Sequence, residues 1–213
     1  FIPKSKIKDG INGMKVIAKV TEWPEHSNNP FGEIVQVLGK PGDNDVEMQS
    51  ILAEYNFPLS FPKFVEKEAE KIDISISQAE INKRKDFRNT WTITIDPFDA
   101  KDFDDALSLK QLKDGLWEVG VHIADVSNYV KPGTALDEEA YERATSVYFV
   151  DRVIPMLPEN ISNGICSLSQ DNLRLTLSCF MEIDSRGKVV SYEDKTTFMK
   201  SCARLKYDEV NDI

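Results

Sequence analysis

The stretch Asp96-Pro97-Phe98-Asp99-Ala100-Lys101-Asp102-Phe103-Asp104-Asp105 places five carboxylates within ten residues. Crowding like charges costs Coulomb energy, and a fold tolerates it most readily when a cation sits among them. Hard oxygen donors select Mg²⁺, Mn²⁺ or Ca²⁺. Three readings compete. The plainest is a solvated acidic loop. Phe98, Phe103 and Ala100 are interleaved with the acids, however, and apolar segments flank them, which a solvated loop does not require. A calcium loop starting at Asp102 needs Gly at its sixth position and Glu at its twelfth; Leu107 and Lys113 stand there. The third reading is a catalytic Mg²⁺ or Mn²⁺ site for phosphodiester chemistry. There, carboxylates hold ions that orient water and stabilise the attacking and leaving oxygens.

Aspartate is a poor strand and helix former, so the cluster is predicted to be a loop between two strands. Thr92-Ile93-Thr94-Ile95 is β-branched and leads into it; Ala106-Leu107-Ser108-Leu109 leads out. Lys113-Asp114-Gly115 reads as a hairpin turn. Residues 117–125 form the next predicted strand, with Trp117, Val119, Val121 and Ile123 on one face. Thr134 caps a predicted helix running to about Ser146. Leu173-Arg174-Leu175 lies in an apolar strand, residues 189–198 form another, and residues 206–213 begin a helix.

Upstream, residues 14–20 and 32–39 alternate as strands around the loop chemistry of residues 23–30. Asp43 or Asn44 caps a helix reaching about Tyr55, with Val46, Ile51 and Leu52 on one side. The Phe- and Pro-rich stretch 57–64 is a connector. Short helices are predicted over 65–71 and from the capping box Ser77-Gln78-Ala79-Glu80 to about Lys85. The predicted fold class is α+β: a partial β-barrel segment leads through helices into a mixed sheet with helices around the Asp loop.

Composition bounds the rest. A chain of 213 residues with 41 % hydrophobic residues can bury a core in one or two domains. No apolar run reaches the roughly 18 residues of a membrane span. Residues 1–6 carry no signal-peptide pattern. The start at Phe1 and the stop at Ile213 predict a piece of a longer protein. Cys166, Cys179 and Cys202 are odd in number and far apart, which predicts reduced thiols and a cytoplasmic protein. The net charge of −10 argues against a polyanion ligand. Residues 1–90 hold 13 basic and 14 acidic side chains, and residues 91–213 hold 13 and 22, so the excess acid travels with the Asp cluster. Bound divalent metal reverses the local sign of such a site.

The segment Thr94–Ala106 resembles the catalytic motif of the ribonuclease II / ribonuclease R family of RNB exoribonucleases. Further similar stretches follow in order: Val121–Val126, Leu136–Ala140, Arg143–Tyr148, Ile154–Pro158 and Cys166–Leu168. The Asp-Ala-Lys-Asp-Phe-Asp-Asp form is closer to ribonuclease R. The resemblance implies three regions. Residues 1–56 are the end of a cold-shock, OB-type RNA-binding domain with a trailing helix. Residues 57–86 are a connector, and residues 87–213 are the N-terminal part of an RNB catalytic domain. It implies 3′→5′ hydrolysis of single-stranded RNA from its 3′ end, releasing nucleoside 5′-monophosphates with Mg²⁺ or Mn²⁺.

By the same resemblance, Asp96, Asp102, Asp104 and Asp105 are the catalytic, metal-binding carboxylates. Asp96 and Asp105 come first as direct ligands, while Asp104 instead could hold the 3′ hydroxyl or the attacking water. Tyr148 matches an aromatic that stacks on a base, a contact that tolerates any sequence. Arg174 is a candidate RNA-binding residue, because a buried arginine needs an anion, either a phosphate or a carboxylate partner. Asp99 reads as a turn-former, His122 as structural, and His26 as surface. Later family segments, which supply an arginine, a glutamate, an aromatic clamp and a third OB-type domain, are absent from these residues, so weak or no processive activity is expected. Neither a membrane nor an obligate protein partner is implied. The competing class is a non-catalytic RNA-binding or metal-binding module.

Overall fold

The computed structural model describes residues 1–7 and 12–212. The chain divides into two compact units, Phe1–Phe61 and Pro62–Ile213. In the first, β1 (Lys15–Glu22) and β2 (Phe31–Gly39) pair antiparallel with three register shifts. Gly32 permits the close approach: a Cβ there would stand 2.7 Å from the Lys19 carbonyl oxygen. α1 (Asn44–Glu54) begins where the Asp43 carboxylate accepts from the Asp45 N–H at 3.1 Å. It buries Val46 and Leu52, and Lys15 of β1 pairs with its Glu47. Ile51, expected on the same apolar side, is instead exposed. Ile51 is rotated by roughly 100° about the helix axis from its buried neighbour Leu52, which takes it off the covered face.

The second unit begins with α2 (Lys63–Ala69) and α3 (Gln78–Ile81), so most of the 57–86 connector belongs to the same compact unit as the sheet. Its strands are β3 (Lys85–Asp86), β4 (Thr92–Asp96), β5 (Asp105–Gln111) and β6 (Trp117–Ala124). Then follow α4 (Ala135–Arg143), the two-residue strands β7 (Val147–Tyr148) and β8 (Val153–Ile154), and a π-helical turn, Asn160–Ile165. β9 (Leu173–Ile183), β10 (Val189–Lys200), β11 (Ala203–Lys206) and α5 (Tyr207–Asn211) complete it.

Seven strands form one mixed sheet in the order β11-β4-β5-β6-β9-β10-β3. The four central pairings are antiparallel; β11–β4 and β10–β3, at the edges, are parallel. The β11–β4 pairing matters most here, because it sets Lys206 opposite Asp96 and Arg204 opposite Thr94. α4 stops at Arg143, short of Ser146, because Ala144 turns left-handed at φ 61°. That turn aims the chain into the β7–β8 hairpin.

One sheet face is buried and unusually polar. His122 is fully buried between Ser178 Oγ (2.7 Å from Nδ1) and Ser108 Oγ (2.9 Å from Nε2). Ser178 continues to Thr197 (2.6 Å), and Thr197 to Thr176 (2.5 Å). Gly120 leaves room for this network, since a Cβ would collide with Ser108 Oγ and stand 2.8 Å from His122 Nε2. Phe87 and Phe180 flank the imidazole, with the Lys85 ammonium beyond their rings at 4.9 Å. Burial pushes the His122 pKa down to about 4. The unfolded chain therefore takes up a proton as pH falls below 6.5, whereas the folded chain does so only near 4. Stability is thus lost as pH falls through that window, by up to about 3 kcal/mol. Urea midpoints of wild type and His122→Asn, compared at pH 7 and pH 4.5 (about those values), check this. The wild type is expected to lose more stability on acidification than the variant; equal losses contradict it.

Candidate active site and metal-binding loop

β4 ends at Asp96 and β5 begins at Asp105, so the Asp cluster is the loop joining two neighbouring strands of the sheet. Asp96 is buried, and neither its Oδ2 nor the buried Thr94 Oγ1 has a hydrogen-bond partner. Burial raises the Asp96 pKa, and the charges of Asp105 and Asp102 add to it; the neighbouring Thr94 hydroxyl first, and then the Arg204 charge, work against them. Asp104 is raised too, by desolvation first and then by Asp102, Asp105 and Asp96. The four carboxylates therefore feel one another electrically. Asp99 is exposed at the turn closed by the Ala100 N–H and the Pro97 carbonyl (3.2 Å).

Two anchors hold the loop. On the Asp96 side, Arg204 of β11 donates to the carbonyls of Pro97 (3.0 Å) and Phe98 (2.7 Å). Its guanidinium also lies 4.8 Å from the centre of the Phe103 ring. On the other side, the fully buried Ser167 donates to the Lys101 carbonyl (2.9 Å) and accepts from the Phe103 N–H (3.1 Å). The Leu168 N–H donates to the Phe103 carbonyl at 2.8 Å. Phe103 is buried, whereas Asp102 beside it is half-buried and Asp104 is exposed. Ser167 and Arg204 were not singled out from the sequence. Neither the spacing nor the residue type of a lone serine or of a strand arginine reveals a loop 60 or more residues away in sequence.

Tyr148, largely exposed on β7, donates its hydroxyl to Asp102 Oδ2 at 3.3 Å. A cavity of about 520 Å³ lies between residues 97–102 and the β7–β8 hairpin, lined by Lys101, Asp102, Tyr148, Phe149 and Arg152 among others. Arg174 is half-buried on β9, and its partners are not anions. Its Nε donates to the Ser167 carbonyl (2.7 Å), Nη1 to the Leu173 carbonyl (3.0 Å), and Nη2 to the Gly164 carbonyl (3.0 Å) and Ser169 Oγ (3.4 Å). Backbone carbonyls thus fill the role that an anion was expected to take.

The donor set fits a hard divalent cation. It is all oxygen, its charges repel one another, and Asp96 carries an orphaned buried oxygen. The fit is in chemistry and neighbourhood. Among the described residues, no three His, Cys, Asp or Glu side chains converge as a finished cage.

The family profile described as RNB domain matches residues 84–213, and that described as cold shock domain matches residues 1–62. Ribonuclease R of Thermotoga maritima is 44 % identical, over 100 % of this chain and 30 % of its own length. Ribonuclease R 2 of Lactococcus lactis is 42 % identical, over 97 % of this chain and 32 % of its own. Mycoplasma genitalium RNase R, solved in complex with double-stranded RNA, superposes with a TM-score of 0.92 at 28 % identity, covering 100 % of this chain and 38 % of that one. The chain spans about a third of the length of the relatives it matches. With an Asp loop of this geometry inside the matched region, the chain belongs to the RNB family, that of ribonuclease II and ribonuclease R.

Proposed function

We propose that this chain carries the metal-binding part of a 3′→5′ hydrolytic exoribonuclease. Its substrate is the 3′ end of single-stranded RNA, and its products are nucleoside 5′-monophosphates. The observation that carries this is that Asp96, Asp102, Asp104 and Asp105 all lie on or at the ends of the one loop joining β4 to β5, with the exposed Tyr148 hydrogen-bonded to Asp102. In this reading those four residues hold Mg²⁺ or Mn²⁺. Bound there, the ion would supply charge stabilisation and activation of water for phosphodiester cleavage.

The chain's own side chains do the rest. The cavity beside Tyr148 accepts the terminal nucleotide, and the Tyr148 ring stacks on its base. The hydrogen bond to Asp102 fixes the tyrosine at the edge of the carboxylate cluster. We assign Arg174 an indirect part in RNA binding, through the segment whose carbonyls it holds. The cold-shock match over residues 1–62, and the structures of the Mycoplasma relative with double-stranded and with ribose-methylated single-stranded RNA, support RNA as the ligand. We keep the division into residues 1–56, 57–86 and 87–213 as the functional one, and place the protein in the cytoplasm. Three free cysteines and the lack, among the described residues, of any helix long and apolar enough to cross a membrane accord with that.

A second reading, a non-catalytic RNA- or metal-binding module, is favoured by the net charge of −10 and by the unclosed carboxylate cage. One assay separates the two. Single-stranded RNA labelled at its 5′ end is incubated with excess chain and Mg²⁺ or Mn²⁺, then with EDTA. Stepwise shortening from the 3′ end with release of 5′-monophosphates, stopped by EDTA, is the expected result. Metal-dependent RNA binding without shortening would support the module.

A further inference from the structure

We infer that Ser167 is a positioning residue for the metal-binding loop, holding the arm that carries Asp102 and Asp104. This rests on the metal role proposed for that arm. Like-charged Asp102 and Asp104 repel each other, so the loop that carries both must be held by something other than their own contacts. The Ser167 hydroxyl holds the Asp102 end of this arm, while the Ala124 N–H holds the Asp104 carbonyl at 2.9 Å. Ser167 Oγ donates to the Lys101 carbonyl at 2.9 Å and accepts from the Phe103 N–H at 3.1 Å, bracketing Asp102. The next residue, Leu168, donates its N–H to the Phe103 carbonyl at 2.8 Å. Phe103 is therefore pinned through both of its backbone polar groups, and its ring is buried beneath the Arg204 guanidinium.

Ser167 itself has no freedom to drift. It is fully buried, and its carbonyl accepts from Arg174 Nε at 2.7 Å. The same guanidinium grips the Gly164 carbonyl and Ser169 Oγ, on either side of Ser167. The arginine on β9 thus fixes the segment, and the segment fixes the loop. Residues that orient metal ligands from behind change metal affinity by roughly 10- to 100-fold when removed.

The test compares wild type, Ser167→Ala and Asp104→Asn by Mn²⁺ titration, read from the loss of the free-ion electron-paramagnetic-resonance signal. Amide hydrogen exchange is measured on the same samples. Ser167→Ala is expected to weaken Mn²⁺ binding by at least about 10-fold. It should also speed exchange of the Phe103 amide while those of β6 and β9 stay slow. Mn²⁺ affinity within about twofold of wild type overturns the inference, whether or not Phe103 exchange changes. If wild type binds no Mn²⁺, the metal reading of this chain fails. Ser167 is then judged on exchange alone, and an unchanged Phe103 amide overturns its positioning role too. Should Ser167→Ala unfold, Arg174→Lys is read by the same two measurements. It frees the Ser167 carbonyl, because the ammonium cannot reproduce the guanidinium fork.

Discussion

Asp104→Asn is expected to slow mononucleotide release by at least about 100-fold while leaving the protein as stable as wild type or more so. The substitution keeps the shape of the side chain and removes one negative charge. In the folded chain that charge is disfavoured: desolvation raises the Asp104 pKa, and Asp102, Asp105 and Asp96 raise it further. A carboxylate with a raised pKa binds its proton more tightly in the folded state than in the unfolded one, so its ionised form detracts from stability at neutral pH. Asparagine relieves that repulsion. Its neutral amide oxygen is also a poorer donor to a hard dication than a carboxylate. Activity and stability should therefore move in opposite directions. Measuring both, by labelled-RNA shortening under chain excess and by thermal unfolding, separates a functional carboxylate from a structural one. Loss of activity together with loss of stability contradicts the assignment.

Arg84→Met is expected to destabilise the second unit by about 3–5 kcal/mol. Arg84 follows α3, and its guanidinium is buried against the sheet. Nη2 reaches Asp125 Oδ2 at 2.6 Å, Nε reaches Glu80 Oε1 at 2.7 Å, and Nη1 lies 3.4 Å from the Thr176 carbonyl. Asp125 is itself buried just past the end of β6. Burial alone would raise its pKa, but hydrogen bonds from Ser127 and Arg84 outweigh that and hold it low. Methionine fills similar space and leaves this carboxylate charged, buried and without its cation. The double variant Arg84→Met/Asp125→Asn removes the stranded charge and should recover part of the loss. Urea midpoints at unchanged slope are the measurement. A single-variant effect below about 1 kcal/mol contradicts the argument.

Much of the site was legible in the sequence because it is local. Five carboxylates among Phe98, Phe103 and Ala100, flanked by β-branched and apolar runs, specify a strand–loop–strand unit, and β4 and β5 supply it. What escaped is non-local. The parallel seating of β11 beside β4 brings Arg204 to the loop, yet Ala203–Lys206 is only four residues long, too short for a periodic signal. β7 and β8 are shorter still, and only the left-handed turn at Ala144 and the hairpin they form put Tyr148 beside Asp102. For Arg174, residue type predicted a need for an anion, whereas the carbonyls of the π-helical turn and the following segment meet that need. Carboxylate spacing located the candidate loop but not how it is held, which depends on residues distant in sequence.

Mn²⁺ titration by calorimetry, on wild type and on Asp96→Asn/Asp105→Asn, tests the central claim most directly. Asp96 brings the orphaned buried oxygen, and Asp105 is the first residue of the neighbouring strand. Wild type is predicted to bind the ion and the double variant to lose that binding while remaining folded. Undiminished binding by the folded double variant would contradict the account, because the ion would then sit outside the Asp loop.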